Sequence, residues 1–401
     1  MSASPKKYIL INFLHGNSPY LRTTELALAV GELLEKERGI SCGIVVPLVY
    51  GDLQKKIMLE NFEEDVVKNP DKILFDKNLG DMLRPLFYSG DASYEDALNY
   101  FYDNYKKTQD KMHAYIERGL ELEDFEGNAY TLPRSDILME INRCPQLHTG
   151  ITPSYFTGFD YISEVLRHAL DEPNIAIDKE VLKKNIPLYE DIESKQALHF
   201  IAEPSIFSYE GNRPRKYETE TFTPPNTNQS KRITEPTSET SETTSDIEKG
   251  IYVTVTGIPG LERLFQEVLD IGLKIYTHRP ELIEGSVKAP PSIVADPNII
   301  FHFARSGWGS VWLSLFTKTP FITRPYTDKD DLEIYYNNLS LEHLGFGKIY
   351  RGESLDELMA YGEVYKKNAT SIHNQLLEKY GTTDGIAYTA RKIVNHFGGQ
   401  K

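Results

Sequence analysis

Short apolar runs alternate with segments of helical period along most of this chain, and that alternation constrains its fold more than any other feature. Near the start, residues 8–14 (YILINFL) are of strand length, and residues 24–36 (TELALAVGELLEK) space their apolar residues as on a helix face. Gly39 marks the end of this helix, and residues 44–49 (IVVPLV) form the next strand. The order strand, helix, strand predicts a βαβ unit with parallel strands.

A polar stretch divides the chain into two such series. Residues 213–246 are crowded with Thr, Ser, Pro, Asn and Glu, and after Phe222 they contain almost no large apolar residue. Such a segment buries too little apolar surface to offset the entropy lost on ordering. We interpret it as a linker, with a phosphorylated regulatory segment as the alternative. The sequence therefore predicts an α/β protein with an N-terminal domain over 1–207, a low-complexity linker over 208–249 and a C-terminal domain over 250–401.

Each half contains further segments of strand or helix length. In the first half, residues 52–122 are mostly helical in character, and a strand, a helix and a strand follow over 136–141, 161–170 and 197–202. In the second half, the apolar runs of strand length are 251–256, 273–277, 292–294, 299–303 and 321–324. Segments of helical period recur between and after them, over 261–269, 310–316, 331–344 and 354–368. Both halves are therefore predicted to hold parallel sheets connected by helices.

The overall composition limits the classes of function and the compartment. The 401 residues carry a formal net charge of −15, whereas a nucleic-acid-binding surface needs a basic footprint. Cys42 and Cys144 are the only cysteines, too few for a disulfide framework or a zinc cluster. No run approaches the ~20 apolar residues of a membrane span, and the first apolar run is too short for a signal segment. We therefore expect a cytoplasmic protein without a transmembrane segment.

The segment 301–325 (FHFARSGWGSVWLSLFTKTPFITRP) contains the strongest local indication of a ligand site. A predicted strand runs into a loop that consists of Arg305, Ser306, Gly307, Trp308, Gly309 and Ser310. A helix follows at once, and its first N–H groups attract anions, while glycines let the backbone approach a ligand closely. Arg305 adds a cation with forked donors, and Ser310 can cap the helix or bind a phosphate oxygen. The same pattern also fits an ordinary tight strand-to-helix turn.

The order of motifs around this loop resembles the C-terminal domain of the GT-B glycosyltransferases, both the natural-product nucleotide-sugar class and the class that adds GlcNAc to lipid-linked precursors. That domain typically shows a strand, (H/R)-x-G-x-x-(S/T)-x-x-E, a helix, G-x-P, a strand and a proline, and then D-Q-x-x-N-A and L-G-x-G. This chain has RSGWGS at 305–310, TP at 319–320, Pro325, EIYYNN at 333–338 and LGFG at 344–347. The resemblance, best over 250–350, implies a GT-B fold: two Rossmann-like domains with a cleft between them.

The resemblance also assigns donor-binding roles to the positions that match the family's motifs. The implied donor is a nucleotide diphosphate sugar, and we expect a UDP-sugar first. No cofactor is implied, and in this fold backbone groups and arginine can replace a metal ion. The matching positions are Thr256 and Gly257 for the distal phosphate, Pro291 and Ile293 for the base, residues 305–310 for the diphosphate, Glu333 for the sugar hydroxyls, and Asn337 as the asparagine of the same motif.

Two positions depart from the family pattern. The glutamate that binds the ribose falls on Leu313, whose side chain cannot accept a hydrogen bond, and the glycine of G-x-P falls on Lys318. Either another residue supplies the acceptor, or the donor binds in an unusual way, or the site has decayed. The sequence nearest to an Asp-x-Asp metal motif is DKDD at 328–331, which we interpret as a solvated helix start.

The loop after the first predicted strand contains the candidate base. His15 follows that strand directly, at the edge of a parallel sheet where ligands bind, and histidine is the usual general base near neutral pH. In GT-B enzymes this loop often carries the base, although the family histidine usually sits closer to the following helix. His15 is therefore the first candidate, with a loop histidine bonded to backbone as the alternative. Arg22 is the rival functional residue, and Glu25 and Asp136 are further candidate bases.

The resemblance therefore implies a glycosyltransferase that moves a sugar from a nucleotide diphosphate to an acceptor hydroxyl without a metal and, with His15 as the base, with inversion. The acceptor is a small molecule or a lipid, so peripheral contact with a membrane is compatible with the prediction, and no nucleic acid is expected. Two alternatives are a sugar-nucleotide epimerase of the same fold, which needs a carboxylate cluster around the sugar, and a non-catalytic partner subunit, which Leu313 and Lys318 favour.

Overall fold

A computed structural model of the chain describes residues 6–88, 92–211, 213–227, 247–254 and 261–399. These residues form two compact units, each of which alternates strands and helices, so the predicted α/β class is confirmed. None of the described helices is long and apolar enough to cross a membrane. The first unit lies within Met1–Ala202, Pro214–Asn226 and Ile386–Lys401, and the second lies within Glu203–Arg213 and Thr227–Gly385.

The first unit is built on a nine-stranded sheet. Its strands are β1 (Lys7–Phe13), β2 (Cys42–Pro47), β3 (Ile73–Asp76), β4 (Leu120–Glu123), β5 (Ala129–Leu132), β6 (Ile137–Arg143), β7 (Ser154–Gly158), β8 (Leu198–Ala202) and β9 (Glu220–Thr223). They lie in the order β5-β4-β3-β2-β1-β6-β7-β8-β9, and β4 alone runs in the direction opposite to the other eight. The chain goes from β1 to β2 on one side of β1, and later adds β6 on the other side of β1. The strand order therefore reverses at β1, and parallel sheets bind ligands at the carboxyl ends of the strands at such a point.

Six helices connect these strands: α1 (Asn17–Arg38), α2 (Gly51–Lys68), α3 (Lys77–Leu83), α4 (Tyr94–Arg118), α5 (Ile162–Ala169) and α6 (Lys179–Ser194). The predicted end of α1 is confirmed, since Gly39 adopts a left-handed φ of 65° there. Its start lies seven residues earlier than the predicted residue 24. Pro19 is compatible with this start because the first N–H groups of a helix have no intrahelical partner.

Five strands of the first sheet, β3, β4, β5, β7 and β9, are absent from the sequence prediction. β3 is four residues long and lies within a stretch of helical character, and the other four have four or five residues each. Each is stabilised by ladder hydrogen bonds to a neighbouring strand of the sheet, as in the pairing of β9 with β8 from His199↔Glu220 to Ala202↔Thr223. Local sequence pattern does not report such pairing, which explains why these strands were missed.

The domain boundaries differ from the predicted ones at residues 208–249. A short 3-10 turn (Ser208–Glu210) and the strand β9 lie inside the predicted linker. Lys216 anchors this part to the first unit through ion pairs with Glu164 over 2.9 Å and Glu193 over 3.1 Å. Composition reports apolar burial alone, whereas strand pairing and buried ion pairs order these residues. Residues 228–246 lie outside the described part of the chain.

The second unit contains a six-stranded parallel sheet in the order β12-β11-β10-β13-β14-β15. Its strands are β10 (Gly250–Val253), β11 (Lys274–Thr277), β12 (Val287–Lys288), β13 (Ile299–Phe303), β14 (Phe321–Thr323) and β15 (Lys348–Ile349). Its helices are α7 (Glu262–Asp270), α8 (Trp308–Thr317), α9 (Leu332–Leu344) and α10 (Leu355–Tyr380). A last helix, α11 (Gly385–Gly399), returns almost entirely to the first unit.

Both faces of the second sheet are covered by apolar side chains. Ile251 and Val253 of β10 point into one core cluster, and Tyr252 between them points into the other, as the alternation of side chains along a strand requires. The predicted strand at 292–294 is wrong: these residues lie in a 3-10 helix, Pro291–Ala295, which begins after Pro290. Consecutive prolines limit strand pairing because proline donates no ladder hydrogen bond.

Candidate functional site

The loop after β1 carries the first predicted catalytic residue. His15 is half-buried, and its ring meets that of Tyr88 edge-on, with centroids 5.9 Å apart. Gly16 adopts a φ of 103°, a conformation that favours glycine, and its N–H donates to the Tyr50 hydroxyl over 2.6 Å. These contacts hold His15 between the carboxyl end of β1 and the start of α1. Its predicted position is therefore confirmed, while its role as a base stays a prediction.

Arg22, the rival catalytic residue, lies in the second turn of α1 and contacts Glu25. Its Nη1 donates to both carboxylate oxygens of Glu25, over 2.5 and 2.6 Å. The Glu25 side chain is buried, and that of Arg22 is only 14% exposed. A guanidinium that binds its neighbour's carboxylate in this way holds both charges in place. Glu25 is therefore better placed to orient Arg22 than to act as a base.

Asp136, a further candidate base, lies at the amino ends of the parallel strands, whereas His15 lies at their carboxyl ends. It directly precedes β6, and its carboxylate accepts from Lys7 Nζ over 2.7 Å at the first residue of β1. Because β1 spans seven residues at about 3.3 Å each, this edge is about 20 Å from the one that carries His15. Asp136 is therefore not placed to work together with His15.

A buried arginine beside the His15 loop was not found from the sequence. Arg143 ends β6 and is 3% exposed, and its guanidinium lies 4.4 Å from the centre of the Phe159 ring. Its carbonyl accepts from the Leu14 N–H over 2.9 Å, which places it next to the end of β1. The one sequence signal was its place as the last residue of an apolar strand. A buried cation thus lies at the carboxyl edge of the first sheet, where folds of this kind bind ligands.

The predicted diphosphate loop lies between β13 and α8 and is anchored by α9. Trp308 Nε1 donates to Asn337 Oδ1 over 2.6 Å, and Asn337 Nδ2 donates to the Ser306 carbonyl over 2.8 Å. Asn337 Nδ2 also donates to Glu333 Oε1 over 3.0 Å. Ser306, Trp308 and Asn337 are all buried. The geometry therefore assigns these three residues to the shape of the loop, and Glu333 is the half-buried member of the group.

Arg305 is held from one side by two aspartates. Its Nη2 lies 3.0 Å from Asp330 Oδ1 and 3.4 Å from Asp331 Oδ2. The same Asp330 carboxylate accepts from both terminal nitrogens of Arg324, over 2.7 and 2.9 Å. Asp330 is 1% exposed, so the interpretation of 328–331 as a solvated helix start is wrong for this residue. Two arginines compensate its charge, which makes burial tolerable.

The start of α8 leaves backbone groups available. Gly307 is the N-cap, and no side chain caps the helix. The Ser310 N–H donates back to the Gly307 carbonyl over 3.0 Å, and Ser310 is the third residue of the helix, so its predicted capping role is wrong. A methyl group on Gly307 would contact no described atom within 4 Å. Space is therefore present beside Gly307, and the Trp308 and Gly309 N–H groups that follow it have no intrahelical partner.

Solved structures of similar architecture define the fold. TcCGT1, solved in complex with UDP, matches with a TM-score of 0.58 and 12% identity over 99% of this chain and 100% of that chain. Arabidopsis thaliana UGT89C1 matches with a TM-score of 0.58 and 13% identity over 98% and 100%. SnogD from Streptomyces nogalater, a glycosyltransferase, matches with a TM-score of 0.56 and 12% identity over 98% and 100%. The chain has the GT-B fold.

This GT-B chain shares only 12–13% sequence identity with the structures named above. No protein-family model matches it, and no curated protein matches it. The fold alone is therefore shared with the glycosyltransferases named above, and the chemistry of its site depends on its own residues. Among the described residues, no group of three or more His, Cys, Asp or Glu side chains could hold a metal ion. Thr256 and Gly257, predicted to contact the distal phosphate, lie outside the described residues.

The residues predicted to bind the nucleoside lie largely in the core of the second unit. Ile293 is buried, and its N–H donates to the Pro290 carbonyl over 3.2 Å. Leu313, at the position of the ribose-binding glutamate, belongs to the same apolar cluster as Ile293 and Tyr252. Pro291 is exposed. The Ile293 side chain thus packs in the apolar core, and the Leu313 side chain offers no hydrogen-bond acceptor.

Proposed function

We propose that this protein is a glycosyltransferase that moves a sugar from a nucleotide diphosphate donor to an acceptor hydroxyl. The observation that carries this function is the state of Arg305. Its guanidinium is anchored through Nη2, while Nη1 and the buried Nε contact no acceptor among the described residues. It stands two residues before Gly307, the N-cap of α8. The Nη1 donors of a guanidinium beside unpaired helix N–H groups suit a diphosphate.

The proposed roles follow the charge that develops in the reaction. As the bond between the anomeric carbon and the diphosphate breaks, negative charge grows on the leaving diphosphate. Arg305 and the N–H groups of Trp308 and Gly309 would stabilise this charge. On the acceptor, His15 would take the proton of the attacking hydroxyl, with Arg22 as the rival functional residue. Such a single displacement inverts the configuration at the anomeric carbon.

A UDP-sugar is the proposed donor, and a small molecule or lipid the proposed acceptor. TcCGT1 and UGT89C1, two proteins of similar fold, were solved with UDP, which supports testing UDP-sugars first. Positive charge from Arg305 and α8 makes a metal-independent reaction without a resident cofactor the simplest proposal. Glu333 remains the proposed contact for the sugar hydroxyls, since it is half-buried next to the loop. We further propose that the protein works in the cytoplasm.

The test is nucleotide binding and nucleotide release by the full chain. We expect one or more of a panel of UDP-, GDP- and dTDP-sugars to bind and to release free nucleotide. Arg305→Ala is expected to weaken UDP binding about 10- to 100-fold, because charge-assisted hydrogen bonds contribute about 1.5–3 kcal/mol. His15→Ala is expected to abolish turnover and to leave UDP affinity unchanged. Isothermal titration calorimetry and a coupled nucleotide assay measure both quantities.

Arg263→Ala is the matched control for Arg305→Ala. Arg263 belongs to the same unit, is 86% exposed and pairs with Glu267 on α7. The Arg263→Ala variant therefore loses one positive charge, as Arg305→Ala does, but outside the loop of residues 305–310. Equal effects of the two variants on UDP affinity would contradict a local role for Arg305. Turnover that survives in His15→Ala would show that another residue is the base.

The same panel separates the two other candidate functions. Interconversion of the donor sugar without an acceptor would favour a sugar-nucleotide epimerase. The burial of Leu313 in an apolar cluster favours a non-catalytic subunit of the same fold. That function predicts no release of nucleotide from any donor, and absence of nucleotide binding altogether would exclude both enzymes.

A further inference from the structure

We propose that Asp330 is a positioning residue for Arg305, an inference that rests on the proposed function and names a contact that its site requires. Asp330 directly precedes Asp331, the N-cap of α9, and its side chain is 2% exposed. Arg305 is 28% exposed and reaches the solvent beside the start of α8. Asp330 therefore lies behind the arginine, on the side away from solvent.

The Asp330 carboxylate is saturated by donors. Oδ1 accepts from Arg324 Nη2 over 2.9 Å and lies 3.0 Å from Arg305 Nη2. Oδ2 accepts from Arg324 Nη1 over 2.7 Å and from both the N–H and the hydroxyl of Thr327, each over 3.0 Å. Five contacts fix this carboxylate in position. It therefore offers Arg305 an immobile anchor and has little capacity left to bind a ligand itself.

The anchor determines which donors of Arg305 are presented. A guanidinium is planar and rigid, so holding one terminal nitrogen sets the direction of the remaining donors. Asp330 and Asp331 both contact Nη2. The Nε–H points to the same side as Nη2 and is buried without an acceptor among the described residues. The contact thus leaves Nη1 as the donor for an oxyanion at the start of α8.

Removal of the Asp330 charge has opposite expected effects on nucleotide affinity, depending on whether the residue acts through its charge or by positioning Arg305. Arg305 and Arg324 carry two positive charges, and Asp330 and Asp331 carry two negative charges, so the four groups sum to zero. Loss of either carboxylate makes the cluster more positive, which by itself favours an anionic nucleotide. Weaker nucleotide binding after loss of the Asp330 charge would therefore indicate orientation of Arg305, because electrostatics predicts tighter binding.

The experiment is a double-mutant cycle on UDP affinity, with isothermal titration calorimetry of the full chain. Asp330→Asn is expected to weaken UDP binding about tenfold in the otherwise unchanged protein and to have no further effect in Arg305→Ala. Asp328→Asn, which removes the same charge from an exposed position of the same loop, is the matched control and is expected to leave UDP binding unchanged or tighter. Thermal unfolding of each variant is measured in parallel.

The outcomes distinguish this inference from the proposed function. If Arg305→Ala leaves UDP affinity unchanged, the proposed site of the donor is wrong. If Arg305→Ala weakens binding but Asp330→Asn tightens it, or acts equally in both backgrounds, the positioning role is overturned and the proposed function stands. If Asp330→Asn does not fold, Asp330→Glu replaces it: this variant keeps the negative charge but displaces the carboxylate that holds Arg305. Weaker UDP binding by Asp330→Glu supports the role, and unchanged binding overturns it.

Discussion

Asp76 shows how one buried residue at the carboxyl edge of the first sheet combines a structural task with a titration. It ends β3 and caps α3, where it accepts from the Leu79 N–H over 2.8 Å. The Tyr115 hydroxyl donates to the same carboxylate over 3.1 and 3.2 Å. Burial raises the pKa of Asp76 to about 7, although hydrogen bonds from Leu79, Tyr115 and Asn78 oppose the shift. The folded chain therefore binds a proton here that the unfolded chain releases near pH 4.

We predict that Asp76→Asn removes part of the pH dependence of stability. The raised pKa stabilises the fold below about pH 4, and this contribution is lost as the pH rises through about 7. Asparagine still caps the helix but does not titrate. The variant should therefore match the unchanged protein at pH 4 and exceed it at pH 8 by up to about 4 kcal/mol.

Urea unfolding at a series of pH values measures this difference. Asp81→Asn on the same helix is the control, since Asp81 is 53% exposed and its loss should leave the slope of stability against pH unchanged. Identical slopes for Asp76→Asn and the unchanged protein would contradict the role of Asp76.

At the scale of single elements, α8 carries the proposed donor loop at one end and a strained residue at the other. Lys318 caps the carboxyl end with a left-handed φ of 58°, a conformation that costs a residue with a side chain about 1–2 kcal/mol. This is the position at which the related motif has glycine. The Lys318 N–H still donates to the Ser314 carbonyl. The carboxyl end of α8 therefore has the left-handed backbone conformation that favours glycine, although lysine occupies the position.

We predict that Lys318→Gly stabilises the second unit by about 0.5–1 kcal/mol, because relief of the left-handed strain exceeds the added entropy of glycine in the unfolded chain. Lys318→Ala is the control: it removes the charge but keeps the Cβ atom and the strain. Denaturant unfolding of both variants measures the difference. A gain of the same size in Lys318→Ala would assign the effect to charge and contradict strain as its cause.

At the scale of the whole molecule, the first unit is built from segments at both ends of the sequence. α11 follows the second unit in sequence but packs in the first, where Tyr155 and His396 are joined by a hydrogen bond of 3.1 Å. The Arg38 Nη2 donates to the Val394 carbonyl over 3.2 Å, and Ile393 and Val394 are fully buried. The first unit thus depends on residues nearly 400 positions from its first strand.

We predict that Ile393→Ala costs about 2–5 kcal/mol of stability, the usual cost of truncating a buried isoleucine. Amide exchange should rise in the strands of the first unit, which can be followed by mass spectrometry of the full chain. Asn395→Ala on the exposed side of the same helix is the control and should change neither quantity. Faster exchange confined to the second unit would contradict the placement of α11.

The sequence by itself determined the features that depend on nearby residues. The alternation of strands and helices predicted an α/β protein, and β1, β13 and α8 were found close to their predicted positions. The loop of residues 305–310 between β13 and α8 was also predicted, because glycines and helix starts are marked by local pattern. His15 likewise follows β1 as expected, since only neighbouring residues decide that placement.

The tertiary structure decided what depends on residues far apart in the chain. It brought Asp330 to Arg305, placed Ile293 and Leu313 in one apolar cluster, and separated Asp136 from His15 by the length of a strand. It also added β9 to the first sheet and returned α11 to the first unit. Periodicity reports which side of an element is apolar, but contact between two elements depends on burial and pairing across the chain.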